Sequence, residues 1–213
     1  MKIFIVRHGS TQHLEDNRRQ TFESSLSQQG LQQVERIAQR LTKFKIDLFW
    51  ASPLKRTLET ADAISKSTGL NYIEDKRLRE IDQSEELYGA KCTDDVSKKY
   101  DDDKLNRLNS LDWKFLDEGE SLRDVLTRMA DLKNELIGKH IDKNILLVSH
   151  AYAIRCFIAN CILGDDYKDE AIIRVFHAIR ISKASLSVLE YRHENKYFYV
   201  NLLNDTTHLE EDE

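Results

Sequence analysis

Two arginines, two histidines and one glutamate give this chain its chemistry: Arg7, His8, Arg56, Glu80 and His150. Arginine presents a planar fork of donors suited to phosphate or carboxylate, and histidine near neutral pH serves as nucleophile or base. A phosphate monoester accounts for that mixture better than any other ligand. Its dianion takes several cations, with arginine supplying bidentate contacts. Phosphoryl transfer passes through a loose transition state, so catalysis is chiefly positioning and charge stabilisation. A neutral imidazole can attack phosphorus in line and hold the phosphoryl group covalently. The leaving alkoxide then needs a proton, which a carboxylic acid kept neutral by burial can supply. Each residue also has a plain structural alternative. Arg7 and His8 could cap a strand in solvent, Arg56 could pair with Glu59 on its own helix, and Glu80 could pair with Arg77 or Arg79.

The elements around these residues must position them. Ile3-Phe4-Ile5-Val6 is a continuous apolar run that delivers Arg7 and His8 onto Gly9, the pattern of a buried strand ending at a loop. Asn144–Ser149 is a second such run, ending at His150 and followed at once by a helix through Ile154, Phe157, Ile158 and Cys161. Asp47–Ala51 reads as a short buried strand. Ser52-Pro53 then predicts an N-cap and first helical position, with Arg56 on the first turns and Leu54, Leu58, Ala61 and Ile64 along one side. Residues 71–80 read as a third strand whose exit carries Glu80. Ser27 opens a helix with Leu31, Val34, Ala38 and Leu41 in register, and Glu120-Ser121 starts a longer one. Ala184–Tyr191 and Lys196–Leu202 read as a hairpin. Strands alternating with helices predict an α/β fold, a three-layer α/β/α sandwich around a mainly parallel sheet. Ligands of such sheets bind at the carboxyl ends of the strands, so the five residues are expected on one edge.

The 213 residues suit a single domain, 1–213, and with one proline and seven glycines no stretch reads as a linker. Residues 82–118 are charged and irregular, and read as a partly helical cap insertion lying over the sheet. Its Asp101-Asp102-Asp103 run is expected to be a solvated loop rather than a metal site. No HExxH or CxxC spacing occurs, so no metal is expected. The net charge of −5 argues against a nucleic-acid partner, and it makes any phosphate site a local positive pocket. The opening residues are too few for a signal-peptide core or a membrane span. Cys92, Cys156 and Cys161 form no disulfide pattern, so the cytoplasm is the expected compartment. The oligomeric state stays open, a homodimer included. Glu210–Glu213 reads as a disordered acidic end.

The order of these parts resembles the histidine phosphatase superfamily, in its phosphoglycerate-mutase-like branch. Arg7-His8-Gly9-Ser10-Thr11 looks like the RHGxT motif, and Ser52-Pro53-Leu54-Lys55-Arg56-Thr57 with Thr60-Ala61 is similar to the SPLxRTxxTA segment. Leu78-Arg79-Glu80-Ile81 resembles the acid-bearing LxEI segment, Gly119-Glu120-Ser121 the GES helix start, and Val148-Ser149-His150 the VSH before the second histidine. The resemblance implies that His8 is the phosphorylated nucleophile and Glu80 the proton donor. It implies that Arg7, Arg56 and His150 hold the phosphoryl oxygens, aided by the backbone N–H of Ala151 at a helix start. Thr11 of the first motif and Gln20, after Arg18-Arg19 in an RxQ-like loop, join the phosphate- and substrate-binding set. The implied reaction is hydrolysis of a small-molecule phosphomonoester without metal or organic cofactor. A phosphoglycerate mutase and a catalytically silent phospho-ligand binder are the alternatives. Three departures bear on the substrate: Leu14 stands where Asn is frequent, residues 83–89 depart from GxxEG, and Ala151-Tyr152 replaces a Gly-Gly pair. Leu14 and Tyr152 are expected to make the pocket more apolar and to favour an apolar or aromatic leaving group.

Overall fold

A strand buried on both faces needs apolar side chains at every position rather than at every second one, and Ile3–Val6 and Ile145–Val148 meet that requirement. In the computed structural model, which describes residues 1–210, these runs lie side by side as the centre of a six-stranded sheet. The chain begins with β1 (Lys2–Arg7), α1 (Gln12–Glu15), α2 (Gln28–Leu41), β2 (Leu48–Ala51), α3 (Lys55–Thr68) and β3 (Ile73–Glu74). It continues through α4 (Asp95–Asn106), α5 (Leu122–Lys139), β4 (Asn144–Ser149), α6 (Ala151–Leu163), α7 (Asp169–Ala178), β5 (Leu186–Arg192) and β6 (Tyr197–Asp205). The strand order is β3-β2-β4-β1-β5-β6, with the first four parallel, β5 antiparallel to β1, and β6 antiparallel to β5. The expected mainly parallel α/β sandwich is the observed architecture.

Alternation along β1 sends Phe4 and Val6 to one face, where they pack with Val34, Ile37 and Leu41 of α2 and Ala61 and Ile64 of α3. Ile3 and Ile5 face the other layer, formed by α5, α6 and α7 through Met129, Leu132, Phe157 and Phe176. Register fixes the site: β1 pairs with β4 so that Arg7 lies opposite Ser149. His8 and His150, each one residue further, therefore leave the same edge side by side.

Local chemistry sets the helix starts. Ser27 caps α2 by accepting from the Gly30 N–H, and Ser121 forms a reciprocal capping box with Asp124 at α5. The Ser52-Pro53 expectation fails: α3 begins at Lys55 with Leu54 as its cap and no side-chain capping bond. Proline holds Ser52 in extended backbone, and the Ser52 hydroxyl is engaged elsewhere. The third strand is also shorter than expected. β3 spans only Ile73–Glu74 at the sheet edge, because Asp75 caps a 3-10 turn over Lys76–Leu78 and ends the pairing. Glu80 thus sits in irregular chain beyond that turn. Leu31 is exposed, and Ile37 takes an inward position instead. The helix α7, which the sequence reading did not contain, buries Ile172, Ile173 and Phe176.

Residues 82–118 carry α4 and two 3-10 turns around a small core of Leu87, Tyr100 and Phe115. The aspartate run lies on α4, not in a loop, and Asp101 pairs with Arg19. Among the described residues no helix is long and apolar enough to cross a membrane, and the three cysteines are free. Residues 211–213 of the expected acidic end lie outside the described residues.

One close approach ties the first loop to α2. A Cβ placed on Gly30 would stand 2.0 Å from the Ser10 carbonyl oxygen, and one on Gly9 would stand 2.7 Å from the Gly30 carbonyl oxygen. Gly30→Ala must push Ser10 away, and overpacking of this kind costs roughly 1–3 kcal/mol. The expected outcome is a lowered urea midpoint together with lower activity, because the displaced residue adjoins the His8 loop. An unchanged midpoint and unchanged activity would refute the constraint.

Candidate active site

His8, the residue after β1, is buried, and its Nδ1 lies 2.7 Å from the Gly9 carbonyl oxygen. A carbonyl only accepts, so Nδ1 carries the proton and Nε2 is left with its lone pair. His150 caps α6 from the end of β4, and the two imidazole rings are 5.1 Å apart. Its Nε2 is 2.7 Å from Ser52 Oγ, while Leu54 N donates to the same hydroxyl from 3.4 Å. The arrangement that leaves fewest buried groups unpaired has Ser52 donating to Nε2, which puts the His150 proton on Nδ1. That Nδ1 is buried with no partner.

Arg7 reaches from β1 and spends one nitrogen, Nη1, on the Ile181 carbonyl at 2.7 Å. Arg56, buried on the first turn of α3, spends Nη1 on the Thr21 carbonyl at 2.9 Å. The Nε atoms of both are buried and unpartnered. The Arg56–Glu59 alternative does not form: Glu59 accepts from the Leu26 N–H at 2.6 Å. Nor does Arg77 hold Glu80, since it pairs with Asp75 and Glu135. Glu80 instead accepts from the Ile81 and Tyr152 backbone N–H groups at 3.1 and 3.2 Å. Arg128 braces that segment by donating to the Arg77 and Glu80 carbonyls.

Burial dominates the electrostatics. It depresses the basicity of His8, reinforced by Arg56 and Arg7, and of His150, reinforced by Arg56 and then His8. Arg56 is lowered to about 10 by burial, opposed by Glu80, and remains cationic at neutral pH. Both histidines are therefore neutral in the folded chain, and a neutral His8 Nε2 is a competent nucleophile. The consequence for stability has a definite sign. Below the unfolded value near 6.5 the unfolded chain binds protons that the folded chain refuses, so stability falls as pH drops. The limiting slope is about 1.4 kcal/mol per pH unit for each histidine. Urea midpoints should be level above about pH 7.5 and fall below 6.5. A midpoint that stays level down to pH 5 would show that the histidines are not held neutral.

Arg56 and Glu80 form part of the wall of a cavity of about 220 Å³, together with Leu14, Gln20, Phe22, Leu54 and Tyr88. Leu14 thus lines the site as expected. Gln20 does too, with a buried, unpartnered Oε1. Tyr152 does not line it: its ring packs at a tilt of 58° against Phe176 with centroids 4.7 Å apart, and it offers Glu80 only its backbone N–H. Thr11 is buried and spends its hydroxyl capping α1 through Leu14 N, outside that wall. Ala151 opens α6 and, with Arg7, borders a different concavity. The loop bearing Gln20 is bound to residues 82–118: Arg18 donates to the Gly89 carbonyl at 2.8 Å, Arg19 pairs with Asp101 at 2.7 Å, and Phe22 packs on Tyr88.

Ser52 is the residue that sequence reasoning misassigned, because a serine before proline carries the local signal of a cap. Ser52→Ala removes the group that sets the His150 tautomer. Leaving the buried His150 Nε2 without its donor costs about 1–3 kcal/mol, so kcat is expected to fall roughly 5- to 100-fold with KM little changed. Ser52→Thr, which keeps the hydroxyl, should recover most of the loss. Equal kcat for the wild type and Ser52→Ala would exclude the positioning role.

Comparison with known proteins gives the family and the fold. The sequence profile of the histidine phosphatase superfamily (branch 1) matches residues 3–206. The chain is 28% identical over 212 residues to phosphoserine phosphatase 1 of Hydrogenobacter thermophilus, covering 99% of this chain and 95% of that one. It is 27% identical over 214 residues to a Cronobacter sakazakii protein named "Probable phosphoglycerate mutase GpmB", with the same coverage. Among solved structures, YhfR of Bacillus stearothermophilus superposes with a TM-score of 0.82 at 22% identity, covering 98% of this chain and 99% of that one. A mycobacterial glucosyl-3-phosphoglycerate phosphatase superposes with a TM-score of 0.80 at 24% identity, covering 95% and 98%. The fold is shared with both structures, and by the near-complete match of its sequence the chain belongs to the histidine phosphatase superfamily, branch 1.

Proposed function

We propose that the protein hydrolyses small phosphomonoesters through a phosphohistidine on His8, with Glu80 protonating the leaving oxygen. The observation that carries this reading is a set of three buried, unpartnered donors, Arg7 Nε, Arg56 Nε and His150 Nδ1, on residues that flank a neutral imidazole. Buried donors without partners are costly, and a phosphoryl dianion is the ligand that would satisfy all three. His8 Nε2 attacks phosphorus, and the ester oxygen leaves with the Glu80 proton. Water, deprotonated by the same carboxylate, then attacks the phosphohistidine and frees phosphate and His8. The Ala151 N–H at the start of α6 adds a further donor, and residues 82–118 act as the cap that selects the leaving group. No metal enters this scheme. Free thiols at all three cysteines suit a cytoplasmic location.

The cavity beside Glu80 favours hydrolysis over mutase chemistry. Leu14, Leu54, Phe22 and Tyr88 give it apolar walls, and Arg18 and Arg19 are already committed to protein oxygens. We therefore propose a monoester with an apolar or aromatic leaving group. The named relatives, a phosphoserine phosphatase and a protein named as a phosphoglycerate mutase, set the panel. It comprises aryl phosphates, phosphoserine and 3-phosphoglycerate, with a coupled mutase assay. The expected ranking in kcat/KM places aryl phosphates first, with phosphate release outpacing isomerisation. Comparable kcat/KM for 3-phosphoglycerate and aryl phosphates would overturn the substrate assignment.

A further inference from the structure

The residues read as holding the phosphoryl group are divided between two cavities. Arg56 and Glu80 border the 220 Å³ cavity, while Arg7 and Ala151 border a second concavity of about 580 Å³, and His8 and His150 border neither. The second concavity is completed by Arg155 and by the segment after α7, including Arg180 and Lys183. No carboxylate lines it, in a chain whose net charge is −5.

Its cations differ in what they have left to offer. Arg155 is held rigid, with Nε and Nη2 on the Phe176 carbonyl and its guanidinium 3.8 Å from the Phe176 ring centroid. Arg180 and Lys183 have no ion-pair or hydrogen-bond partner for their side chains among the described residues. The segment that carries them is pinned to the site: Ile181 O accepts from Arg7, Ala184 N donates to His8 O, and Arg7 N donates to Ser185 O. Lys183 is close enough to add to the depression of His8 basicity. Glu80, outside the wall, acts on Arg7 and Arg155, but one carboxylate leaves four cations in net excess, and an oxyanion relieves their repulsion.

We propose that this concavity is a second oxyanion subsite, sharing Arg7 with the phosphoryl pocket. The inference rests on the reading of Arg7 as a phosphoryl ligand. Glu80 must meet the leaving oxygen, and it borders only the first cavity, so the leaving group's body lies there. The second subsite then takes either free orthophosphate, as the product that has left His8, or a carboxylate on a branch of the leaving group that turns from the first cavity toward Arg7.

The full chain and its Arg180→Ser/Lys183→Ser double variant separate these sources. The first arm is inhibition of aryl phosphate hydrolysis by orthophosphate. Two phosphate sites give mixed inhibition in the wild type, and loss of the subsite makes it purely competitive in the variant. The second arm is the ratio of kcat/KM for phosphoserine to that for phosphoethanolamine, which differ by one carboxylate. A fall of about fivefold or more in that ratio, larger at low ionic strength, assigns the subsite to the substrate's own anion. If the inhibition pattern and the ratio are both the same in the two proteins, the subsite is refuted, whatever happens to the inhibition constant. A wild type that hydrolyses no ester would overturn the proposed reaction alone. The subsite would then be read by calorimetric titration with orthophosphate, where equal affinity in both proteins refutes it.

Discussion

His8→Ala is expected to abolish the phosphoprotein and the activity together. Wild-type enzyme mixed with labelled substrate and quenched in alkali should retain label that acid then releases, the behaviour of a phosphoramidate. The variant should show none, and kcat should fall on the order of 10⁴- to 10⁶-fold, as for loss of a nucleophile from other covalent enzymes. The geometry allows no simple substitute. Nδ1 of His8 is committed to the Gly9 carbonyl, and the neighbouring imidazole has its Nε2 on Ser52. His150 therefore presents a donor, not a lone pair, to the site. Folding of the variant is checked by its urea midpoint above pH 7.5, where the charge cost of the buried histidines is absent. Label with the same acid and alkali behaviour on the His8→Ala protein would show that another residue is the acceptor.

Glu80→Gln should divide substrates by their leaving groups. Alkyl phosphates need a proton on the departing oxygen, and loss of a positioned general acid costs about 10²- to 10⁴-fold. A nitrophenolate leaves without one, so 4-nitrophenyl phosphate should form phosphoenzyme within about tenfold of the wild-type rate. Glutamine suits this test because it keeps an acceptor oxygen for the Ile81 and Tyr152 N–H groups, so the side chain keeps its place. In the proposed reaction the same carboxylate activates the water that dephosphorylates His8, so the variant should accumulate label. Equal losses on alkyl and aryl phosphates would remove Glu80 from proton transfer.

Much of the fold was legible because its central strands are buried on both faces. The apolar runs before His8 and His150 have no polar interruption, so their ends could be read to within a residue, and parallel pairing of two such ends brings the histidines together. Ser27 and Ser121 were legible as caps because capping is decided within four residues. Ser52 shows the limit of local reading: its sequence neighbours signal a cap, yet its hydroxyl is claimed by a histidine 98 positions away. Residues 71–80 carry strand-like composition, but an edge position and the Asp75 cap leave two paired residues. The helix α7 was missed because Tyr167 to Ala178 mixes charged and β-branched residues and has Lys168, without a capping bond, at its N-cap, so packing against α6 commits it. The division of Arg7 from Arg56 between two cavities depends on loop paths, which no spacing encodes.

The placement of β1 also governs how the protein is made. It leaves the ribosome before both its partners, β4 and β5, which come from residues 144–149 and 186–192. At translation speeds of 5–20 residues per second, the Ile3–Val6 segment waits roughly 10–40 s for a complete set of neighbours. During that interval an unpaired apolar strand is the part of the nascent chain most open to aggregation and to holdase chaperones. The same wait means that no product truncated before residue 186 carries the proposed nucleophile, His8, at the end of a strand with both its neighbours. The proposed phosphotransfer chemistry therefore waits for β5 to be made.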